Sequence, residues 1–232
     1  MKKCVIFLLL FPAWVSAQNK QLVEASSGED LTRKVSTQIQ FLFPEFTNGD
    51  VFYKGNKGSG KLNYNMLLGE MQFLENNKVL SLANVNNVLA VNIANRRFYP
   101  YKDNEFVEEL ATTGDVHLRV RYKGNAVTHS KKGAYGSQSS TSSITSYNSI
   151  IGDNNNQYEL TVTENVLVTV NYFYYLVGKN GKYTLITNVK TFTKLFPAYR
   201  AKIEDYVKER NTKFNNADDL KALLKFCSEL SK

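Results

Sequence analysis

The sequence predicts an α+β domain in which an antiparallel β-meander curls into a roll or sandwich and two C-terminal α-helices cover part of it. Three observations carry that expectation. From residue 31 to about 122, short alternating apolar and polar runs follow one another between Gly and Asn, the pattern of hairpin-linked strands. The run 166–177, VLVTVNYFYYLV, is apolar at both parities and reads as a central strand covered on both faces. After Asn188 the apolar period changes from two to that of a helix.

Taken in order, the segment 31–43 admits two readings. Leu31, Val35, Ile39, Phe41 and Phe43 share a parity, as in a strand, but a helix over part of 30–40 fits equally. Strands are expected at 51–54, 61–66, 70–75, 79–82, 88–93, 97–101 and 116–122, with turn signals at Asn76-Asn77, Asn86-Asn87 and Asn95. The stretch 124–157 is rich in Ser, Thr, Gly and Asn. It exceeds the usual upper end of roughly 15 residues for a structureless loop, which marks it as a surface insertion. Strands resume at 158–163 and 166–177, and the turn Gly178-Lys179-Asn180-Gly181 leads into 183–187 to complete a hairpin. Phe196, Tyr199, Ile203, Tyr206 and Val207 then form one helical stripe. Asn216 reads as the N-cap of a last helix, with Asp218 and Asp219 in its first turn and Leu220, Leu223, Leu224, Cys227 and Leu230 on its apolar side.

Residues 1–17 have the form of a signal peptide: Lys2 and Lys3, an apolar run over 4–15, and the small-residue site Val15-Ser16-Ala17, with cleavage expected before Gln18. The apolar run falls short of the roughly 20 residues that span a bilayer, so no transmembrane segment is expected after cleavage. Cys4 is badly placed for lipidation and leaves with the leader. Cys227 is then the only thiol, and no internal disulfide can form. The remainder, 18–232, reads as a single α+β domain carrying the 124–157 insertion.

The chain has 29 Lys and Arg against 21 Asp and Glu, a net charge of +8. That excess suits an anionic envelope polymer, or peripheral contact with lipid head groups. No nucleic-acid-binding motif occurs, and nucleic acid is not an expected partner. One stretch, GNKGSGK at 55–61, fits the start of a P-loop. The residue after Lys61 is Leu62 rather than the hydroxyl that would hold magnesium, and 61–66 alternates where a helix is required. It therefore reads as a hairpin turn, and no nucleotide or other cofactor is expected.

Only two histidines occur. His117 lies in the alternating run DVHLRVRY and reads as a solvent-side strand residue, while His129 beside Ser130 is not a triad. No G-x-S-x-G elbow, H-E-x-x-H pair or other metal-ligand set is present. Glu70, Glu108 and Glu109 are the acids from which a glycosidase pair would be drawn, although Glu108-Glu109 reads most simply as a solvated face. The basic and aromatic runs 96–102, RRFYPYK, and 117–123, HLRVRYK, are better suited to gripping an anionic or sugar-rich polymer by ion pairing and stacking. They nominate Arg96, Arg97, Arg119 and Arg121. The competing reading is a pair of half-buried strands whose outer positions happen to be basic. A transmembrane β-barrel is disfavoured by the helical C-terminus, the long polar middle and the charged face of 116–122.

The stretches PEFTNGDVFYKG (44–55), KLNYNMLLGEMQFL (61–74) and KKGAYGSQSSTSS (131–143), with LFPAY at 195–199, resemble a recurring family of uncharacterised exported proteins of Bacteroidota. The resemblance implies export to a Gram-negative envelope and brings no activity or catalytic residues with it. It also implies that 133–143 is more than filler, which adds Lys131, Lys132 and Tyr135 to the candidate contacts. The chain end lacks a β-rich sorting domain, favouring the periplasm or the periplasmic side of the outer membrane. The expected function is that of a non-catalytic exported envelope protein binding an envelope polymer or protein. The alternative is an envelope glycan hydrolase using a carboxylate pair.

Overall fold

A computed structural model of the chain describes residues 20–25, 30–129, 146–147 and 164–230. Its elements are β1 (Lys20–Ala25), α1 (Thr37–Gln40), β2 (Thr47–Tyr53), β3 (Lys57–Asn65), β4 (Glu70–Glu75), β5 (Lys78–Ser81), β6 (Val88–Ile93), β7 (Arg96–Pro100) and β8 (Phe106–Thr113). They continue with β9 (Val116–His129), β10 (Ser146–Tyr147), β11 (Glu164–Val177), β12 (Tyr183–Leu185), α2 (Val189–Phe192), α3 (Arg200–Arg210) and α4 (Ala217–Leu230).

All twelve described strands belong to one antiparallel sheet in the order β1-β11-β9-β8-β7-β6-β2-β3-β4-β5, with β10 beside β9 and β12 beside β11. Two meanders, β2 to β5 and β6 to β9, are joined by β6 pairing with β2 rather than with β5. The expected hairpin turn at Asn76-Asn77 forms with φ +49° and +61°, the pattern of a type I′ turn, whereas in the turn expected at Asn95 the positive φ falls on Ala94. The continuous strand path ends at β1 and β5, and every residue of β5 is exposed.

The sheet curls because Tyr64 of β3 reaches across it. Its ring stacks on Phe98 of β7 at 5.3 Å and meets Tyr122 of β9 edge-on at 5.5 Å. Its hydroxyl donates to the Phe106 carbonyl at 2.8 Å, satisfying a polar group buried in the core. The β3–β4 turn closes the same curl through Phe106 N–H to Gly69 O at 2.8 Å and Gly124 N–H to Leu67 O at 3.0 Å. α4 covers β8 and β9, sinking Leu220, Leu223, Leu224 and Cys227 into the core that contains Leu118, Val120 and Leu176. Tyr206 of α3 stacks on Phe226 of α4 at 4.4 Å. Asn216 caps α4 as expected, its Oδ1 accepting from the N–H groups of Asp218 and Asp219.

GNKGSGK is a turn followed by a strand. Tyr53 N–H bonds Asn56 O at 2.9 Å, and Lys57 already belongs to β3. Lys57 pairs with Asp50 at 3.0 Å, and Ser59 donates to the same carboxylate, so this stretch is spent on its own hairpin. The alternation of 61–66 does not produce one wet face, because Asn63 and Asn65 are buried along with Leu62, Tyr64 and Met66. Segment 40–43 covers them. Asn63 exchanges hydrogen bonds with both backbone groups of Phe43, and Asn65 Oδ1 accepts from Leu67 and Leu68 N–H. Residues 31–40 follow the helical alternative, as one 3-10 turn and α1.

The insertion begins later than expected, since 124–129 continue β9 and pair with β11. The expected strand at 158–163 lies outside the described residues.

Cys227 is buried, and burial pushes its thiol up to about 12. In a Cys4→Ser chain, where Cys227 is the sole thiol, a thiol reagent at pH 8 is expected to react only at the rate of unfolding and at once in denaturant. Rapid stoichiometric labelling of the native chain would contradict this packing.

Candidate basic and aromatic surface

Antiparallel register builds the candidate surface one row at a time. Arg97 of β7 lies opposite Glu109 of β8, Glu109 opposite Arg119 of β9, and Arg119 opposite Tyr175 of β11. Because side chains alternate along a strand, Tyr99 and Tyr101 share this outer face with Arg97, and His117 and Arg121 share it with Arg119. Tyr183 of β12 completes the group. Tyr101, Tyr175 and Tyr183 form a triangle of rings with centroids 4.9 to 5.8 Å apart. Val107, Tyr175 and Val177, on the same face by register, are buried yet stand apart from the contiguous core.

The arginines hold this cluster together. The Arg119 guanidinium lies 4.0 Å from the Tyr99 ring centroid and 5.6 Å from that of Tyr183, and it also donates to the Tyr183 hydroxyl. Arg121 lies over Tyr101 at 5.6 Å, and its fork grips both oxygens of Glu105, the second contact being 2.7 Å. Burial would lower the Arg121 pKa, but the Glu105 carboxylate more than offsets this and raises it. The Tyr175 hydroxyl is pushed up, first by burial and then by its bond to Tyr101. Both arginine side chains are more than four-fifths covered. The freely presented cations are instead Arg97, over Tyr99 at 5.4 Å, and Lys102, over Tyr101 at 5.8 Å, while the half-exposed Lys123 pairs with Glu105 at 3.8 Å.

His117 is not a plain solvent-side residue. Its Nδ1 stands 2.9 Å from Glu109 Oε2 and 3.1 Å from Thr112 Oγ1. Glu109 Oε2 and Arg119 Nε are both buried without a directed hydrogen bond, so the approaches of His117 at 2.9 Å and of Arg119 at 3.6 Å are contacts short of one.

Arg96 separates from its neighbour because one step along β7 reverses the face. It turns inward, forks onto both oxygens of Glu108, donates to the Tyr122 hydroxyl at 2.9 Å and lies over Phe43 at 5.5 Å. Tyr122 in turn donates to Glu108. Burial, reinforced by the Glu108 charge, pushes the Tyr122 hydroxyl well above its ordinary value. Glu108 is only 4% exposed, which corrects its reading as part of a solvated face. That reading treated Glu108-Glu109 as one short segment, whereas β8 puts the two acids on opposite sides of the sheet.

The surface thus unites Arg97, Arg119 and Arg121 from the sequence-based set and leaves out Arg96. Lys131, Lys132 and Tyr135 lie outside the described residues. Tyr175, Tyr183 and Glu105 were missed. The odd-numbered aromatics of 166–177 had been visible, but only the β9–β11 register places them beside Arg119 and Arg121. Among the described residues no group of acids, histidines and cysteines is arranged to hold a metal ion. No protein-family model matches the chain, and no curated protein and no solved structure matches it either.

Proposed function

We propose that the chain is a non-catalytic exported protein of the cell envelope that binds an anionic or sugar-rich envelope component through the outer face of β7, β9, β11 and β12. One observation carries this reading. Tyrosines from β7, β11 and β12 and from the turn after β7 meet on a single face, braced by largely covered arginines and flanked by the exposed charges of Arg97 and Lys102 and the half-exposed Lys123. Rigid rings flanked by cations suit a ligand that stacks and carries negative charge. The leader-like N-terminus and the net charge of +8 support an envelope setting, in the periplasm or against the periplasmic side of the outer membrane.

No observation favours the hydrolase. Of the candidate acids, Glu108 has both oxygens taken by Arg96, Glu70 accepts from the Ser81 hydroxyl on another part of the sheet, and Glu109 stands between His117 and Arg119. A glycosidase needs one carboxyl to donate a proton and a second to face the sugar.

The test is co-sedimentation with isolated envelope material at moderate salt. Arg97→Ala, Lys102→Ala and Lys123→Ala together are expected to lower the bound fraction by about tenfold, because two exposed charges and one half-exposed charge are lost with little effect on folding. The pair Arg119→Ala and Arg121→Ala is expected to release the protein as well, with a lower unfolding midpoint. Unchanged sedimentation of both variants would remove this surface from consideration.

A further inference from the structure

A second basic site lies at the β11–β12 turn, apart from the tyrosine surface. Gly181 takes φ +70°, its N–H bonds Gly178 O at 2.9 Å, and Asn180 Oδ1 accepts from Lys182 N–H at 3.0 Å, so the turn has a defined shape. It presses against the 3-10 turn Thr193–Leu195. A Cβ at Gly178 would stand 3.0 Å from Leu195 Cδ2, so the two segments approach closely here. The facing segment is equally fixed: Phe192 and Phe196 are buried and stacked at 5.8 Å, and Asn188 and Thr191 form a capping box ahead of them.

These anchors bring Lys179 and Lys182 from one segment and Lys194 from another to the walls of a single shallow cleft of about 460 Å³. All three lysines are exposed, no carboxylate lines the cleft, and none of the three enters an ion pair among the described residues. Three like charges held together without a counter-charge repel one another, and a multiply charged anion turns that repulsion into attraction. Thr184 adds a hydroxyl to the wall. Asn180, its oxygen already engaged, has its amide NH2 to offer.

We propose that this cleft binds a phosphate-class dianion, a phosphomonoester or pyrophosphate group, either free or displayed on a lipid head group. Lysines act as compact point charges that converge on a tetrahedral, multiply charged group without the planar match that a carboxylate finds in arginine. The site is independent of the tyrosine surface, since Lys182 and Thr184 alternate with Tyr183 along the chain.

The test uses the full chain in two arms: calorimetric titration with pyrophosphate, and co-sedimentation with phosphatidylcholine vesicles carrying or lacking phosphatidic acid. Saturable pyrophosphate binding is expected, weakened about tenfold or more by Lys179→Gln, Lys182→Gln and Lys194→Gln together. It should be unaffected by Arg97→Ala, Lys102→Ala and Lys123→Ala, so the two surfaces can fail separately. Capture by phosphatidic acid vesicles that pyrophosphate reverses would assign the group to a lipid. Pyrophosphate binding without vesicle capture would assign it to a free phosphate compound. The wild-type chain binding in neither arm, or the triple glutamine variant binding as the wild type does, would overturn the proposal. Because the substituted lysines are exposed, an unchanged unfolding midpoint verifies that the variant folds.

Discussion

Gly49→Ala is expected to lower stability by about 3 kcal/mol, although glycine within a strand ordinarily costs about 0.5–1 kcal/mol relative to alanine. The sign is decided by what an added methyl would meet. A Cβ at position 49 would lie 2.6 Å from the Asn92 carbonyl oxygen, 2.9 Å from Leu62 Cδ1 and 3.1 Å from Ile93 Cγ1. Leu62 can rotate, but the Asn92 oxygen is backbone of β6, and β6 is fixed by pairing with β2 and β7. Relief therefore requires moving a strand at the junction of the two meanders. Urea unfolding should show a lower midpoint with an unchanged slope. A variant as stable as the wild type would mean that β2 and β6 are further apart than described.

Glu108→Gln carries the second large effect, about 2–3 kcal/mol of lost stability. The substitution keeps the shape and removes the charge facing Arg96, whose side chain is two-thirds covered. The partial exposure of Arg96 lets water recover some of the loss, which places the value below that of a fully buried pair. Replacing the pair together, Arg96→Met with Glu108→Leu, should restore most of the stability, because no unpaired charge remains. A double-mutant cycle by chemical denaturation tests this, and additive losses would show that the two residues do not act as a unit.

The strands 70–75 and 88–93 were legible to the residue because each is a short apolar-rich run with turn residues close to both ends, Gly69 and Asn76 for the first and Asn87 and Asn95 for the second. β8 was not expected as a strand. Its run FVEELATT has adjacent acids where alternation should put one polar residue, and a register shift between Glu109 and Ala111 breaks the period again. Glu108 is tolerated inside because Arg96 and Tyr122 arrive from neighbouring strands, a pairing that local pattern cannot show. The same blindness applies to the candidate surface. The sequence marked its cations, but which are braces and which are presented depends on rings brought in by β11 and β12. Arg119 and Arg121 serve largely as braces, while Arg97 keeps the outward role assigned to it.

The placement of β1 governs the order in which the sheet is assembled. Among the described residues Lys20–Ala25 pairs as a strand only with residues 164–169 of β11, so β1 must wait until β11 is available. Closing so long a loop makes this contact slow to form. An edge strand with one pairing partner is also the easiest to release. In hydrogen exchange the amides of β1 should therefore lose protection ahead of those of β3 and β9, making the N-terminal strand the clasp of the sheet.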